Sequence, residues 1–154
     1  MEYWRDGVMG DYKNINRGYQ KLRVWNDAIE YYVKICNVYR PFPFELKRVA
    51  SQAIAASDSV HRNLAEGYCR RSIKEYINFL YIALGSLGES VSGLYACLKA
   101  DQISKENFDD LNSIAFKLEN GLLKLIQSLE TKKDRGEWID QMMIKESNSA
   151  YGVD

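Results

Sequence analysis

The sequence has few of the residues on which covalent or metal-based chemistry usually depends. Its three cysteines (Cys36, Cys69 and Cys97) are odd in number and far apart, so neither a disulfide framework nor a C-x-x-C zinc site is expected. His61 is the only histidine, whereas a di-iron carboxylate centre in a helix bundle needs two Glu-x-x-His motifs. With no G-x-S-x-G motif and no phosphate-binding glycine loop, the sequence predicts no metal, no cofactor and no enzymatic activity.

Proline, glycine and long apolar runs are also scarce. Two prolines and ten glycines in 154 residues favour long regular elements over many short strands and turns. No run approaches the roughly 18 apolar residues that cross a bilayer, and the polar N-terminus is unlike a signal peptide. We therefore expect a single cytoplasmic domain that makes no contact with membranes.

Four segments carry apolar residues at helical spacing, and short connectors join them. The predicted helices cover residues 21–39, 45–66, 72–99 and 104–131. Long amphipathic helices with short connections pack as antiparallel neighbours, so the sequence predicts an all-α, up-down-up-down four-helix bundle over residues 20–131. Residues 1–19 are predicted to be a flexible segment. Residues 132–154 are predicted to be a charged extension, in which Trp138, Ile139, Met142 and Met143 have the spacing of one short helix.

Individual residues refine this prediction. Gly67 is expected to end the second helix in the left-handed conformation, and Ser72 with Glu75 is expected to form a capping box for the third. Gly85, inside the third helix, is interpreted as a point of close helix packing. Leu84 lies in the predicted apolar stripe of that helix, so Leu84→Asp is expected to abolish folding.

Polar side chains fall close to one face of the second helix and on the third. Because buried polar groups need hydrogen-bond partners, we predict a network that ties these two helices together and fixes their register. A binding role for the same residues is the alternative. The predicted network consists of Gln52, Ser59, Asn63, Glu66, Ser72, Glu75, Ser86 and Glu89.

Charge is unevenly distributed, although 21 basic and 21 acidic residues give a net charge of zero. Six basic and two acidic residues lie between Lys47 and Lys74, whereas residues 101–154 carry seven basic and eleven acidic ones. We predict a nucleic-acid-binding end at the second helix and the loop that follows it, with a solvated helix end as the alternative. The predicted contact residues are Arg62, Arg70, Arg71 and Lys74.

Three further residues bear on this interface. Tyr68 lies next to the two loop arginines, so it is a candidate stacking surface for a base. Lys132 and Lys133 belong to the acidic C-terminal region, and we expect them to contribute much less to binding.

Several motifs together resemble one known family. The similarity covers residues 20–130, and its most specific part joins Asn63-Leu64-Ala65-Glu66-Gly67 to Gly85-Ser86. Its other elements are Leu22-x-Val24-Trp25-x-x-Ala28, Phe42-Pro43-x-Glu45, Arg71-Ser72, Glu75-Tyr76, Phe79-Leu80, Ile82-Ala83-Leu84 and Glu89. The sequence resembles the four-helix-bundle proteins encoded in intervening sequences of bacterial 23S ribosomal RNA genes, which are often called ribosomal proteins.

This resemblance implies a non-enzymatic, cytoplasmic bacterial protein associated with RNA or a ribonucleoprotein. Accessory variability proteins of diversity-generating retroelements are similar in fold and form pentamers that bind nucleic acid and a reverse transcriptase. The resemblance thus implies a homo-oligomer, specifically a homopentamer, although the neutral charge disfavours the retroelement role. The alternative function is a protein-interaction scaffold without nucleic-acid contact, which the neutral charge and eleven tyrosines favour.

Overall fold

The computed structural model describes residues 15–70 and 72–137, and within them the chain forms four long helices and no strand. A 3₁₀ helix (Ile15–Lys21) precedes α1, and a second (Phe44–Leu46) precedes α2. The long helices are α1 (Arg23–Tyr39), α2 (Lys47–Tyr68), α3 (Ile73–Lys99) and α4 (Lys105–Asp134). The predicted all-α four-helix bundle is confirmed.

The boundaries differ from the prediction on both the N-terminal and the C-terminal side of the bundle segment. Residues 15–19, expected in a flexible segment, belong to the first 3₁₀ helix, which packs against α1 and α2. Helix α4 continues through Lys132 and Lys133 to Asp134. The predicted short helix around Trp138 lies outside the described residues, as do residues 1–14.

Each long helix packs against two neighbours. Both α1 and α3 contact α2 on one side and α4 on the other. Because consecutive helices are antiparallel, the bundle has two distinct ends. The α2–α3 end holds the 69–72 connection, the 3₁₀ helix at 15–21 and the C-terminus of α4. The opposite end holds the connections at 40–46 and 100–104.

The core consists mainly of leucines from α3 and α4 and of tyrosines from α1. Leu80, Leu87 and Leu94 are almost completely buried. Tyr31 reaches across to α3, where its hydroxyl lies 2.7 Å from Ser90 Oγ, and burial raises the pKa of this tyrosine to about 12. The buried hydroxyls of Tyr31 and Ser90 therefore satisfy each other inside the core.

Gly67 does not end α2, contrary to the prediction. It is a buried residue within the helix, and a Cβ built on it would lie 2.6 Å from Phe79 Cβ. Glycine is therefore required for the close approach of α3, not for a left-handed turn. Left-handed residues instead follow α3 and α4. Asp101 has φ 56°, where the N–H of Gln102 bonds to the carbonyl of Cys97, and Gly136 has φ 64°, where the N–H of Glu137 bonds to the carbonyl of Lys132.

Two further predictions concern α3. The capping box is present: Glu75 N donates to Ser72 Oγ over 3.1 Å, and Ser72 N donates back to Glu75 Oε2 over 3.4 Å. The interpretation of Gly85 as a close-packing residue is wrong for this chain, because a Cβ at Gly85 would meet no atom within 4 Å. Gly85 lies on the outward face of the helix.

Leu87 is a more sensitive core position of α3 than Leu84, because Leu87 is 1% exposed and Leu84 is only partly buried. We expect Leu87→Ala to lower the free energy of unfolding by about 2–5 kcal/mol and Leu84→Ala to lower it by less, since the cost grows with the buried contact that is lost. Urea titrations of both variants measure the difference. A larger loss for Leu84→Ala would mean that the stripe facing the core is misplaced.

Candidate nucleic-acid interface

Three of the four predicted contact residues lie at the α2–α3 end. Arg62 is one to two turns before the end of α2, Arg70 follows the helix, and Lys74 is in the first turn of α3. All three side chains are exposed. Arg71 lies outside the described residues, so its place in this group stays a prediction.

Arg62 is held by an acidic partner on its own helix. Its Nε donates to Asp58 Oδ2 over 2.5 Å, and His61 Nε2 lies 2.8 Å from the other oxygen of the same carboxylate. Partial burial raises the pKa of Asp58, but the bonds from Arg62 and His61 outweigh this effect, so the pKa lies below its ordinary value. The pair fixes the orientation of Arg62 and also neutralises its charge locally.

Arg70 is positioned by two contacts. Its guanidinium donates to Glu66 Oε1 over 2.7 Å and lies over the ring of Phe79, 4.7 Å from the centroid. Both contacts are at an exposed surface, where such pairs contribute little to stability. The arginine nevertheless presents a planar cation at the edge of the bundle, a geometry suited to phosphate.

Tyr68 is not a free stacking surface. Its ring packs edge-on against Tyr19 of the 3₁₀ helix, with centroids 6.0 Å apart, and against Tyr76 of α3 at 5.8 Å. Gly18 allows this approach, because a Cβ there would lie 2.0 Å from the Tyr68 hydroxyl. Tyr68 thus anchors the 3₁₀ helix to the bundle.

The basic segment of the sequence is divided between the two ends. Lys47 and Arg48 begin α2 and therefore lie at the opposite end from Arg62 and Arg70. In contrast, Lys132 and Lys133 end α4 at the α2–α3 end, beside the predicted interface. They belong to the acidic C-terminal region of the sequence, but the antiparallel course of α4 returns its C-terminus to this end. Their smaller contribution to binding stays a prediction.

When all residues at the α2–α3 end are counted, this end is more basic than the segment from Lys47 to Lys74 alone suggests. Its described residues in 15–26, 62–75 and 124–137 include ten basic and five acidic side chains, whereas residues 36–50 and 97–112 at the opposite end include five of each. Counting charges along the sequence did not include the basic residues that the first 3₁₀ helix and the end of α4 add to this end. The alternating directions of the predicted helices could have indicated that these segments lie there. The ten basic residues are Arg17, Lys21, Arg23, Arg62, Arg70, Lys74, Lys124, Lys132, Lys133 and Arg135.

The predicted polar network is divided into separate groups. Ser59 Oγ lies 2.8 Å from Ser86 Oγ across the α2–α3 contact, and Asn63 Nδ2 donates to Ser59 Oγ over 2.8 Å. Ser72 and Glu75 form the helix cap, while Glu66 is exposed and pairs with Arg70. Gln52 and Glu89 instead line a groove of about 380 Å³ between α2 and α3.

Two kinds of site are absent from the described part of the chain. No group of three histidine, cysteine, aspartate or glutamate side chains within residues 15–70 and 72–137 is arranged to hold a metal ion. None of the helices in these residues combines the length and apolar character that a bilayer crossing requires.

The Asp58 carboxylate gives a test of the local geometry. Because its pKa is lowered in the folded chain, its contribution to stability is present above the unfolded pKa of about 3.9 and is lost as the pH falls through the lower, folded value. We expect the free energy of unfolding to fall less steeply below about pH 4 in Asp58→Asn than in the wild type. Urea titrations between pH 3 and 6 measure this difference, and identical pH profiles would contradict the assigned ion pair.

Comparison with known proteins agrees with the fold. A protein of unknown function from the S23 ribosomal protein family of Bacteroides thetaiotaomicron superimposes with a TM-score of 0.64 at 24% sequence identity. The similarity covers 68% of this chain and 95% of that one. At this identity the comparison supports the fold alone. No curated protein matches the chain.

The sequence comparison is more specific. Residues 20–124 match the family described as 23S rRNA-intervening sequence protein. This range begins in the first 3₁₀ helix and ends within α4, so it includes α1, α2 and α3 and most of the packed core. Because the match spans well over half of the chain, the protein belongs to the 23S rRNA-intervening sequence protein family.

Proposed function

We propose that this protein is a non-enzymatic, homo-oligomeric bundle that binds RNA or a ribonucleoprotein through its α2–α3 end. The observation that supports this proposal most directly is the separation of charge: the described residues include ten basic and five acidic side chains at this end and five of each at the other. Phosphate groups are attracted to such a surface even when the whole protein is neutral. The family name and the S23 ribosomal protein family of the structural relative are consistent with an RNA partner.

The outward face of α3 supports self-association. Between Asn78 and Ala96 the exposed positions carry only one charge, Glu89, and include Ile82, which is 50% exposed. Gly85 and Gly88 contact no other part of the chain, although glycine inside a helix costs roughly 1 kcal/mol relative to alanine. A face with small residues and a single charge allows a second copy to approach closely. The pentameric state, by resemblance, and the cytoplasmic location are parts of the same proposal.

A protein-interaction scaffold is the second candidate function. Tyr81 and Tyr95 are about half exposed on the same face of α3, and tyrosine is enriched at protein interfaces. A partner that is captured equally well before and after nuclease treatment would favour this scaffold over RNA binding.

Charge reversal at the two ends tests the RNA proposal. We expect Arg70→Glu with Arg71→Glu to weaken binding of an RNA fragment about ten-fold at low salt and to reduce the slope of affinity against salt, because fewer counterions are released. Lys47→Glu with Arg48→Glu removes the same charge at the opposite end and serves as the matched control. Filter binding over a series of salt concentrations measures both effects.

Three results would contradict this assignment. Wild-type protein that retains no RNA at low salt would overturn RNA binding altogether. Equal losses in the two double variants would show that binding is diffuse electrostatics without a preferred end. Unchanged binding in Arg70→Glu with Arg71→Glu would exclude the loop as a contact.

A matched pair of variants tests self-association. We expect Ile82→Glu on α3 to convert the oligomer to monomers, because a carboxylate at an apolar contact is unfavourable. Val33→Glu on α1 alters a residue of the same exposure, 49%, and is expected to leave the assembly intact. Light scattering on the purified proteins measures the mass, and a monomeric wild type would disprove the oligomer.

A further inference from the structure

A furrow crosses the face formed by α1 and α4 and continues to the α2–α3 end. It consists of two adjoining grooves, one of about 500 Å³ between α1 and α4 and one of about 470 Å³ along the last turns of α4. Lys124 lines both grooves and so marks their junction. From Phe116 to Arg135 the helix rises about 28 Å, which gives the length of the furrow.

The furrow is strongly basic. It contains two acidic side chains: Asp27, whose Oδ1 lies 3.3 Å from Lys117 Nζ, and Glu137, whose Oε1 lies 3.9 Å from Arg135 NH1. The basic side chains number five, so the net charge is +3. The five are Arg23, Lys117, Lys124, Lys132 and Arg135.

Three of these cations follow one face of α4. Lys124, Lys132 and Arg135 are spaced by eight and three residues, so their side chains project in similar directions along the helix. The hydroxyls of Ser128 and Thr131 lie between them. Ser128 can donate a hydrogen bond to a phosphate oxygen, whereas Thr131 Oγ1 already donates to the carbonyl of Gln127 over 3.0 Å. A row of cations with interspersed hydroxyl groups matches an extended polyanion better than a single small anion.

An exposed aromatic ring completes the furrow. Phe116 is 64% exposed and lines the α1–α4 groove together with Lys117 and Lys124. It is not among the residues that form or flank the hydrophobic core. An aromatic face beside a cationic track is the combination by which proteins hold unpaired bases without reading their sequence.

We propose that this furrow binds a single-stranded RNA segment, with one unpaired base stacked on Phe116 and the following phosphates along Lys124, Lys132 and Arg135. This inference rests on the RNA binding proposed above and specifies the face and the kind of RNA. Single-stranded RNA is the ligand because the bases of a duplex are already stacked inside the helix and cannot reach the ring.

Fluorescence anisotropy with a labelled, mixed-sequence 12-nucleotide RNA, single-stranded or annealed to its complement, tests this proposal with the full chain. Phe116→Ala is expected to weaken single-strand binding about ten-fold while leaving the salt dependence unchanged. Phe44→Ala removes an even more exposed ring, 82% exposed, at the opposite end and is the matched control. Phe116→Leu, which keeps the apolar bulk, is expected to lose affinity as Phe116→Ala does, and Phe116→Tyr is expected to retain it.

Charge reversal in the furrow gives the second arm. Lys124→Glu with Lys132→Glu is expected to weaken binding and to reduce the salt slope by about two, since each lysine contacts one phosphate. Lys47→Glu with Lys99→Glu, at the opposite end, is expected to change neither quantity. Thermal unfolding of every variant checks that these exposed substitutions leave the bundle folded.

The outcomes separate this inference from the proposed function. If RNA binding depends on Arg70 and Arg71 but not on Phe116 or Lys124, the furrow is wrong while RNA binding stands. If the duplex binds as tightly as the single strand, base stacking is excluded and the inference is overturned. The same conclusion follows if polyglutamate displaces the RNA equally well from the wild type and from Phe116→Ala. If the wild type binds no RNA at low salt, both proposals fail.

Discussion

The close approach of α2 and α3 is the contact on which the remaining structure depends. The side of α2 that faces the core carries small residues, among them Ala56 and Ser57, and Gly67 brings α3 close to the last turn of α2. A side chain at Gly67 would collide with Phe79 and move the start of α3. Since the polar contact between Ser59 and Ser86 spans the same interface, the two helices are held both at a fixed distance and in a fixed register.

The close pairing of α2 and α3 determines which side chains the rest of the bundle must contribute to the core. Because α2 contributes little volume, the core is filled by large residues of α1 and α4, such as Tyr31, Tyr39 and Leu118. Each buried tyrosine carries a hydroxyl that needs a partner, and α3 provides Ser90 for Tyr31 and Cys97 for Tyr39. The packing of large side chains of α1 against small side chains of α3 therefore also determines where these two hydrogen bonds form.

The functional surface follows from helix direction more than from any local motif. A neutral chain acquires a basic end because the first 3₁₀ helix, the α2–α3 connection and the end of α4 meet there. Ion pairs with Asp58 and Glu66 moderate the charge of Arg62 and Arg70, whereas the cations of the α1–α4 furrow exceed the acidic groups around them. This distribution is the reason for which we propose the furrow, and not the loop alone, as a contact for phosphate.

The sequence by itself determined the number, type and approximate bounds of the long helices, because apolar spacing, the Ser72–Glu75 cap and the proline-containing connector are local properties of the chain. It also indicated a basic end, since four of its basic residues lie within thirteen positions. Only the tertiary structure decided why Gly67 is glycine, that Tyr68 packs against Tyr76 and that Lys132 lies beside the predicted interface. These features depend on which helices become neighbours and in which direction they run, and such distances between remote residues are set by the packing of side chains in three dimensions and not by spacing along the chain.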